Sequence, residues 1–368
     1  DQIIPWQRWT DLIKEHYPSG KRGRPPKLPR PIPASEDAAA DKTELMYPIV
    51  KWVGGKSQLL TQLRPFYPAG LGTTYRKYAE PFVGGGAVLF DLLTNRRDAL
   101  DEIYISDENP QLINIYLTLR DHPAELIAKL ACLQQQFDML DDAGRDELFY
   151  QKRACYNESL DHPKDNIEQA ALFIYLNKTC FNGLYRVNST GHFNVPSRQR
   201  KTALICDRPN LERISRALHG VIIRAAGYQE VESFLDAHTF AYFDPPYRPL
   251  PRAASFTSYT VGGFGDFMQI HLAKFIRQCA KRGTFVLASN SDPHNIVPED
   301  DFFEKHYAGF EIHRLSARRP VNSKASERGP ISELLISSPV ANNKKRVPQD
   351  KAHAPGGQKT AKGKALKA

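Results

Sequence analysis

The sequence predicts an α/β fold, a parallel sheet with helices on its faces, carrying a helical insertion that closes on a β-hairpin. Three observations lead there. Short runs rich in Ile, Val, Tyr and Phe alternate with helical patterns in both halves of the 368-residue chain, and strands alternating with helices imply crossovers between parallel strands. Residues 121–177 break the alternation with successive helical patterns. Beyond them, Gly183–Asn188 and His192–Val195 flank Ser189-Thr190-Gly191, the spacing of two hairpin arms around a three-residue loop.

Taken in order, Tyr75–Phe82 reads as a strand and Ala87–Leu93 as a helix, joined by a turn of three glycines. Ile103–Ser106 is a strand and Pro110–Leu119 a helix, with Pro at its first turn where no N–H is needed. Pro123–Phe137, Asp146–Asn157 and Asn166–Leu176 form the helical insertion. The alternation resumes with strand Thr239–Phe243, helix Phe267–Ala280, strand Thr284–Ala288 and strand Ile331–Ser337. Residues 1–45 form a basic extension, irregular over 18–45. Residues 46–120 and 205–341 make the two parts of the α/β domain, 121–204 the insertion, and 342–368 a Lys-, Ala- and Gly-rich tail without a core.

Charge is concentrated in the flanks. Residues 20–33 hold five basic and no acidic residues, and 342–368 hold eight basic and one acidic, so the net +9 leaves the folded stretch close to neutral. Such flanks fit a polyanion partner. The apolar run Ala170–Leu176 is far too short to cross a bilayer, and no secretory leader is legible. The five cysteines are scattered without a Cys-x-x-Cys pair, which disfavours a zinc site and fits reduced core thiols. A cytoplasmic protein with no membrane partner and no metal is the expectation.

Tyr242-Phe-Asp244-Pro245-Pro246-Tyr247 is the most informative segment. The prolines end the strand ladder and stiffen a corner at the strand's C-terminal end, the edge where open α/β sheets bind ligands. Asp244 and the Pro245 carbonyl supply two acceptors, and Tyr247 a stacking face. That set suits an exocyclic amine on a planar base; the plainer alternative is a turn with Asp as a helix cap. Glu80-Pro81-Phe82-Val83-Gly84-Gly85-Gly86 lets backbone approach a ligand closely, and Asp107 ends the next strand where nucleotide-binding folds place an acid on ribose hydroxyls; the plainer alternatives are a tight strand–helix turn and, for Asp107, a helix N-cap before Pro110. Gly54-Gly55-Lys56-Ser57 looks like a phosphate loop, but no Gly stands upstream where the Walker pattern needs its first one, which excludes an NTPase. Trp52 and Lys56 remain as an aromatic and a cation beside a turn; the plainer alternative is a core Trp and a surface Lys. On the hairpin, Phe181, Asn182, Arg186, Asn188, His192 and Asn194 interleave with apolar residues, as in a ribbon that enters a DNA major groove; taken alone, an edge ribbon with solvated charges is the plainer reading. Arg198, Arg200 and Lys201 follow, and Arg314, Arg318, Arg319, Lys324 and Arg328 lie in a Ser-rich loop, either as phosphate contacts or as a solvated loop.

The ordered set of motifs resembles the Dam family of adenine-N6 DNA methyltransferases, D12 class, from about Pro48 to Ser337. It comprises Lys-Trp-Val-Gly-Gly-Lys (51–56), Glu-Pro-Phe-Val-Gly-Gly-Gly (80–86), Asp-Glu-Asn (107–109) and Phe-Asn-Gly-Leu-Tyr-Arg-Val-Asn (181–188). Phe-Asn-Val-Pro (193–196), Tyr-Phe-Asp-Pro-Pro-Tyr (242–247), Phe-Thr-Ser-Tyr (256–259) and Ser-Asn-Ser (289–291) complete it. The likeness is to GATC-methylating systems. It implies a Rossmann-like sheet, S-adenosylmethionine as methyl donor, double-stranded DNA as substrate and a restriction endonuclease acting on the same site. It also implies roles by position: Asp244, Pro245 and Tyr247 for catalysis; Trp52, Lys56, Glu80, Phe82, Gly84, Gly86, Asp107 and Asp244 for the donor. Lys51 and Arg186 would read guanines and Phe181 would wedge beside the flipped base, with Asn182, Leu184, Asn188 and Arg198 in the same interface. The chain departs from the family at Ser197-Arg198-Gln199-Arg200-Lys201, where a Gly and a Tyr are usual, so the resemblance does not carry over base contacts at the hairpin's end or the flanks of the target. Ile3–Lys27 resembles the opening of insertion-sequence transposases, and Lys21-Arg22-Gly23-Arg24-Pro25-Pro26 an AT-hook whose Arg22 and Arg24 enter a minor groove. Cytosine-N4 methylation, a catalytically inactive DNA-binding protein and a transposase-derived one are the competing readings.

Overall fold

A computed structural model describes residues 45–162, 165–198, 201–249, 264–317 and 331–339. Seven strands form one sheet: β1 (Lys77–Glu80), β2 (Glu102–Asp107), β3 (Ile222–Ala225), β4 (Thr239–Phe243), β5 (Phe285–Ser291), β6 (Glu311–Ala317) and β7 (Ile331–Ser337). Their spatial order is β3-β2-β1-β4-β5-β7-β6. The first five in that order are parallel, while β7 pairs antiparallel with both β5 and β6. The expected sheet is therefore mixed at one end. The chain runs outward from β1 through β2 to β3, then returns to β4 on the other side of β1. That reversal is a topological switch point, and the crevice it leaves lies at the C-terminal ends of β1 and β4.

Alternating residues build a core on each face. Tyr78, Ile103, Ile105, Phe240, Tyr242 and Leu287 join one hydrophobic cluster with helices Ala87–Arg96 and Pro110–Asp121. Ala79, Tyr104, Ala241, Phe243, Val286 and Ala288 join the other, beneath helix Asp266–Lys281. The first cluster continues into the insertion, whose helices span Pro123–Met139, Asp142–Asp161 and Asn166–Thr179. Asn166–Thr179 is buried along most of its length, hence apolar all round rather than striped. The second and third insertion helices begin at side-chain caps, Asp141 accepting from Gly144 N and Asp165 from Ile167 N and Glu168 N.

Several expected bounds shift for local reasons. The first strand starts at Lys77, not Tyr75, because Gly70–Tyr75 closes a turn through Tyr75 N→Gly70 O and Gly72 N→Tyr75 O. It ends at Glu80 because Pro81 has no N–H to continue the ladder. The hairpin is looser than expected: Val187 and Phe193 form an isolated bridge, and Asn188 Oδ1 holds the loop by accepting from Thr190 N and His192 N. Arg314 lies in β6, not in a loop. Among the described residues no helix is long and apolar enough to cross a membrane, and no cluster of metal-ligating side chains occurs.

Candidate active site

Three sequence motifs meet at the crevice because β1 lies between β2 and β4. The Gly-rich turn leaves β1, Asp107 ends β2, and Asp244 follows β4. Sequence spacing alone does not reveal this; strand order does.

The turn is tightly constrained. Gly84 and Gly86 take φ of 47° and 72°, where a side chain is strained, and a Cβ on Gly84 would lie 2.7 Å from the Trp52 ring. Asp107 fixes the same loop. One carboxylate oxygen accepts from Gly84 N (3.1 Å) and the other from Asn109 N (3.0 Å). It does not cap the following helix; Asn109 does, through Leu112 N. Burial pushes the Asp107 pKa up, opposed by the backbone donors. Each carboxylate oxygen has a second lone pair for a ligand hydroxyl. Phe82 stacks against Tyr228, with centroids 5.6 Å apart.

Asp244 and Lys56 form a buried ion pair at 2.7 Å, the lysine side chain only 3% exposed and the carboxylate 18%. The reading of Lys56 as a surface lysine is overturned, since its ammonium also donates to the Gly54 carbonyl and lies 4.9 Å from the Tyr247 ring centroid. Burial raises the Asp244 pKa, and the Lys56 charge and hydrogen bond pull it back. The other oxygen, Asp244 Oδ1, is buried and has no hydrogen-bond partner among the described residues. A buried acceptor in that state is costly to keep, so its presence calls for a ligand that donates.

The corner that carries Asp244 is held from outside. Gln269 Nε2 donates to the Pro246 carbonyl (2.9 Å), Asn290 Nδ2 donates to Gln269 Oε1 (3.0 Å), and Asn290 Oδ1 accepts from Arg248 N (3.1 Å). Arg248 pairs with Asp266 and Asp300 and stacks on Phe302. Among the described residues none donates to the Pro245 carbonyl. Tyr247 donates its phenol to Glu333 at 2.5 Å, and burial together with Asp244 and Glu333 holds its pKa well above the usual tyrosine value.

Glu80 sits behind this pair, 2% exposed, accepting from the Tyr78 hydroxyl at 2.6 Å. Burial raises its pKa to about 8, with Asp244 adding to the rise. Folded protein thus keeps a proton that the unfolded chain releases above about 4.5. Stability should fall as pH climbs from that value through about 8. Glu80→Gln should match wild type in thermal melts near pH 5 and exceed it near pH 9 by roughly 4 kcal/mol at most. Equal pH dependence of the two proteins would remove the assignment.

The hairpin joins this site through an aromatic stack. Trp52 is half-buried between the crevice and the insertion, 5.6 Å from Tyr185, which lies 4.9 Å from Phe173. Asn177, buried at the end of helix Asn166–Thr179, accepts from Lys51 N (2.8 Å) and donates to the Lys51 and Gly183 carbonyls (both 3.0 Å). Sequence reasoning missed it; the signal was an amide directly after the apolar run Ala170–Leu176. Phe181 is 50% exposed at the hairpin root, beside Asn182 with φ of 57°. Arg186 is exposed and bonds Asn194 Oδ1 at 2.7 Å, Asn188 caps the loop, Leu184 packs partly into the core, and Arg198 is exposed. Arg314 is bound by Asp292 and Glu304 rather than free for phosphate. Arg22, Arg24, Arg200, Phe256–Tyr259, Arg318, Arg319, Lys324 and Arg328 lie outside the described residues.

Over residues 52–321 the chain matches the family described as D12 class N6 adenine-specific DNA methyltransferase. It is 43% identical to the type II methyltransferase M.MjaIII of Methanocaldococcus jannaschii, over 78% of this chain and 98% of that protein. It is 34% identical to the type II methyltransferase M1.LlaDCHI of Lactococcus lactis subsp. cremoris (79% and 95%). It is 29% identical to the DNA adenine methylase of Escherichia coli K12 (78% and 93%). Among solved structures, the rRNA methyltransferase aviRa of Streptomyces viridochromogenes aligns at a TM-score of 0.33 and 14% identity, over 81% of this chain and 93% of that one.

Proposed function

From the premise that this chain belongs to the D12 class N6 adenine-specific DNA methyltransferases, we propose which residues carry the reaction and which target they serve. The chain is a site-specific DNA methyltransferase acting on N6 of adenine. The proposed target is GATC, on the likeness of the ordered motifs. The proposed donor is S-adenosylmethionine, which supplies an electrophilic methyl group on a sulfonium. The crevice fits it. Asp107 is oriented by two backbone donors with lone pairs left for ribose hydroxyls, and Gly84–Gly86 bring backbone close beside Trp52 and Phe82.

The observation that carries the catalytic assignment is the buried Asp244 Oδ1, unpartnered among the described residues, at the switch point beside Tyr247. An adenine rotated out of the duplex, at a cost of about a few kcal/mol, stacks on Tyr247. Asp244 and the Pro245 carbonyl accept its two N6 hydrogens, which turns the nitrogen lone pair out of conjugation and towards the methyl carbon. With the donor bound, its methyl group would pass to N6 while the carbon–sulfur electron pair stayed on sulfur, and Asp244 would lie beside the N6 hydrogen lost as a proton. Positioning and fixed charges supply the rate. Residues 121–204 serve as the recognition insertion. Lys51 and Arg186 read guanine edges, Phe181 wedges at the vacated base, and Asn182, Leu184, Asn188 and Arg198 frame the contact. An endonuclease acting on the same site is the proposed partner.

Single-molecule sequencing of DNA from cells expressing the protein tests the target. N6-methyladenine within GATC is the expected result. Modified adenine in another context would overturn the GATC proposal, and N4-methylcytosine would overturn the assignment of the amine that the corner grips.

A further inference from the structure

We propose that Glu333 is a positioning residue for methyl transfer, holding the Tyr247 ring in the orientation that stacks on the extruded adenine. This rests on the reading of Tyr247 as the stacking face. The phenol donates to the Glu333 carboxylate at 2.5 Å, and both side chains are half-buried. A tyrosine ring turns about two side-chain torsions. The backbone end of this one is fixed through Pro246 and Arg248, and the hydrogen bond to Glu333 fixes the far end.

The topology explains how a residue so distant in sequence reaches the corner. β7 runs antiparallel between β5 and β6, so its start, not its end, lies at the ligand edge. Glu333 pairs there with Ser291, the last residue of β5. The start of β7 is clamped. Ser332 N donates to Asn295 Oδ1 (3.0 Å), Asn295 Nδ2 donates to the Ser332 carbonyl (2.7 Å), and the Ser332 hydroxyl donates to buried Asp292 (2.5 Å). The carboxylate therefore approaches the phenol from a rigid mount.

Orientation is one consequence and electron density the other. The amine gains positive charge as the methyl group arrives, and an aromatic face attracts positive charge. A carboxylate that accepts the phenol proton's hydrogen bond leaves the ring richer in electrons. Burial and the flanking carboxylates keep the phenol protonated, so it remains the donor and no proton changes place. Lys56, 4.9 Å from the ring centroid, marks the face on which a cation is already accommodated.

The test is a mutant cycle on the full chain with a GATC duplex. Glu333→Ala should lower kcat about 10- to 100-fold, the range for losing a hydrogen bond to a charged group that orients a reacting partner. KM for DNA should stay within about threefold. Glu333→Gln, which keeps an acceptor, should recover most of the loss. In a Tyr247→Phe background Glu333→Ala should cost no more than about twofold further, because the bond is already absent. A 2-aminopurine at the target position should fluoresce more strongly with Glu333→Ala than with wild type, as the extruded base loses its stack. Wild-type kcat in Glu333→Ala, with Tyr247→Ala inactive, would overturn the role of Glu333 alone. An equal loss in the Tyr247→Phe background would overturn it too, as action elsewhere. Wild-type kcat in Tyr247→Ala would overturn the stacking reading and this assignment with it. Matching melting temperatures separate all of these from unfolding.

Discussion

Asp244→Ala should lower kcat at least about 10³-fold while duplex affinity changes by no more than a few-fold. The two effects separate because Asp244 sits in the crevice and not on the hairpin, and because an acceptor for N6 hydrogens acts on the reacting atom alone. Loss of one preorganised polar partner of a reacting group removes about 10²- to 10³-fold, and loss of alignment adds to it. The substitution has a structural side effect. Lys56, 3% exposed, loses its counter-charge, and breaking a buried pair costs about 3–5 kcal/mol. Asp244→Asn provides the control. It keeps a neutral acceptor oxygen for Lys56 or for one N6 hydrogen but not for both, and its amide donors oppose the adenine amine. It should fold better than Asp244→Ala and still lose most activity. Radiolabelled methyl transfer and fluorescence anisotropy on the same duplex decide the matter, and full methylation by Asp244→Ala would refute its role.

Much of this architecture was legible in the chain, for reasons that differ by element. Thr239–Phe243 and Ile331–Ser337 were read to the residue. Thr239–Phe243 is a continuous buried run cut by a proline corner, and local rules govern such a boundary. Ile222–Ala225 and Glu311–Ala317 were missed. Each is an end strand of the sheet; one has four residues and the other, Glu-Ile-His-Arg-Leu-Ser-Ala, mixes polar and apolar residues without a period of two, so neither carries a core signal. The motifs were legible because each is local. Their assembly was not, because it follows from strand order: only with β1 between β2 and β4 do Asp107, the glycines and Asp244 surround one crevice. Lys56 shows the limit most clearly. A lysine after two glycines reads as solvent-exposed, and only a carboxylate 188 residues away makes its burial tolerable. Glu333 was equally hidden, an acid inside an apolar strand whose meaning depends on β7 running against its neighbours.

That distant pairing gives Lys56→Met two effects with opposite pH dependence. In the wild type, burial raises the Asp244 pKa and Lys56 lowers it. With the ammonium gone, only the raising influences remain, burial first and Glu333 after it, so the carboxyl titrates at higher pH. A protonated Asp244 offers one acceptor fewer to the adenine amine, so the acidic limb of kcat/KM should move to higher pH. Activity lost on the acidic side should return in part as pH rises and the carboxyl ionises. Stability runs the other way. A group whose folded pKa is raised favours folding below its unfolded pKa, and that advantage is lost as pH rises through the folded value. The variant should therefore be close to wild type at low pH, where Asp244 is neutral, and fall behind by up to about 3–5 kcal/mol once a lone buried carboxylate must ionise. Chemical denaturation and initial rates across the same pH series measure both. A variant whose activity and stability deficits change with pH in the same direction would show that the lysine acts on something other than Asp244. Lys56→Arg preserves the charge at a larger volume, so it should leave the acidic limb near its wild-type position even where packing lowers the overall rate. The shift in the profile, not the size of the loss, is thus the signature of an ammonium that keeps a buried acceptor ionised until an adenine donates to it.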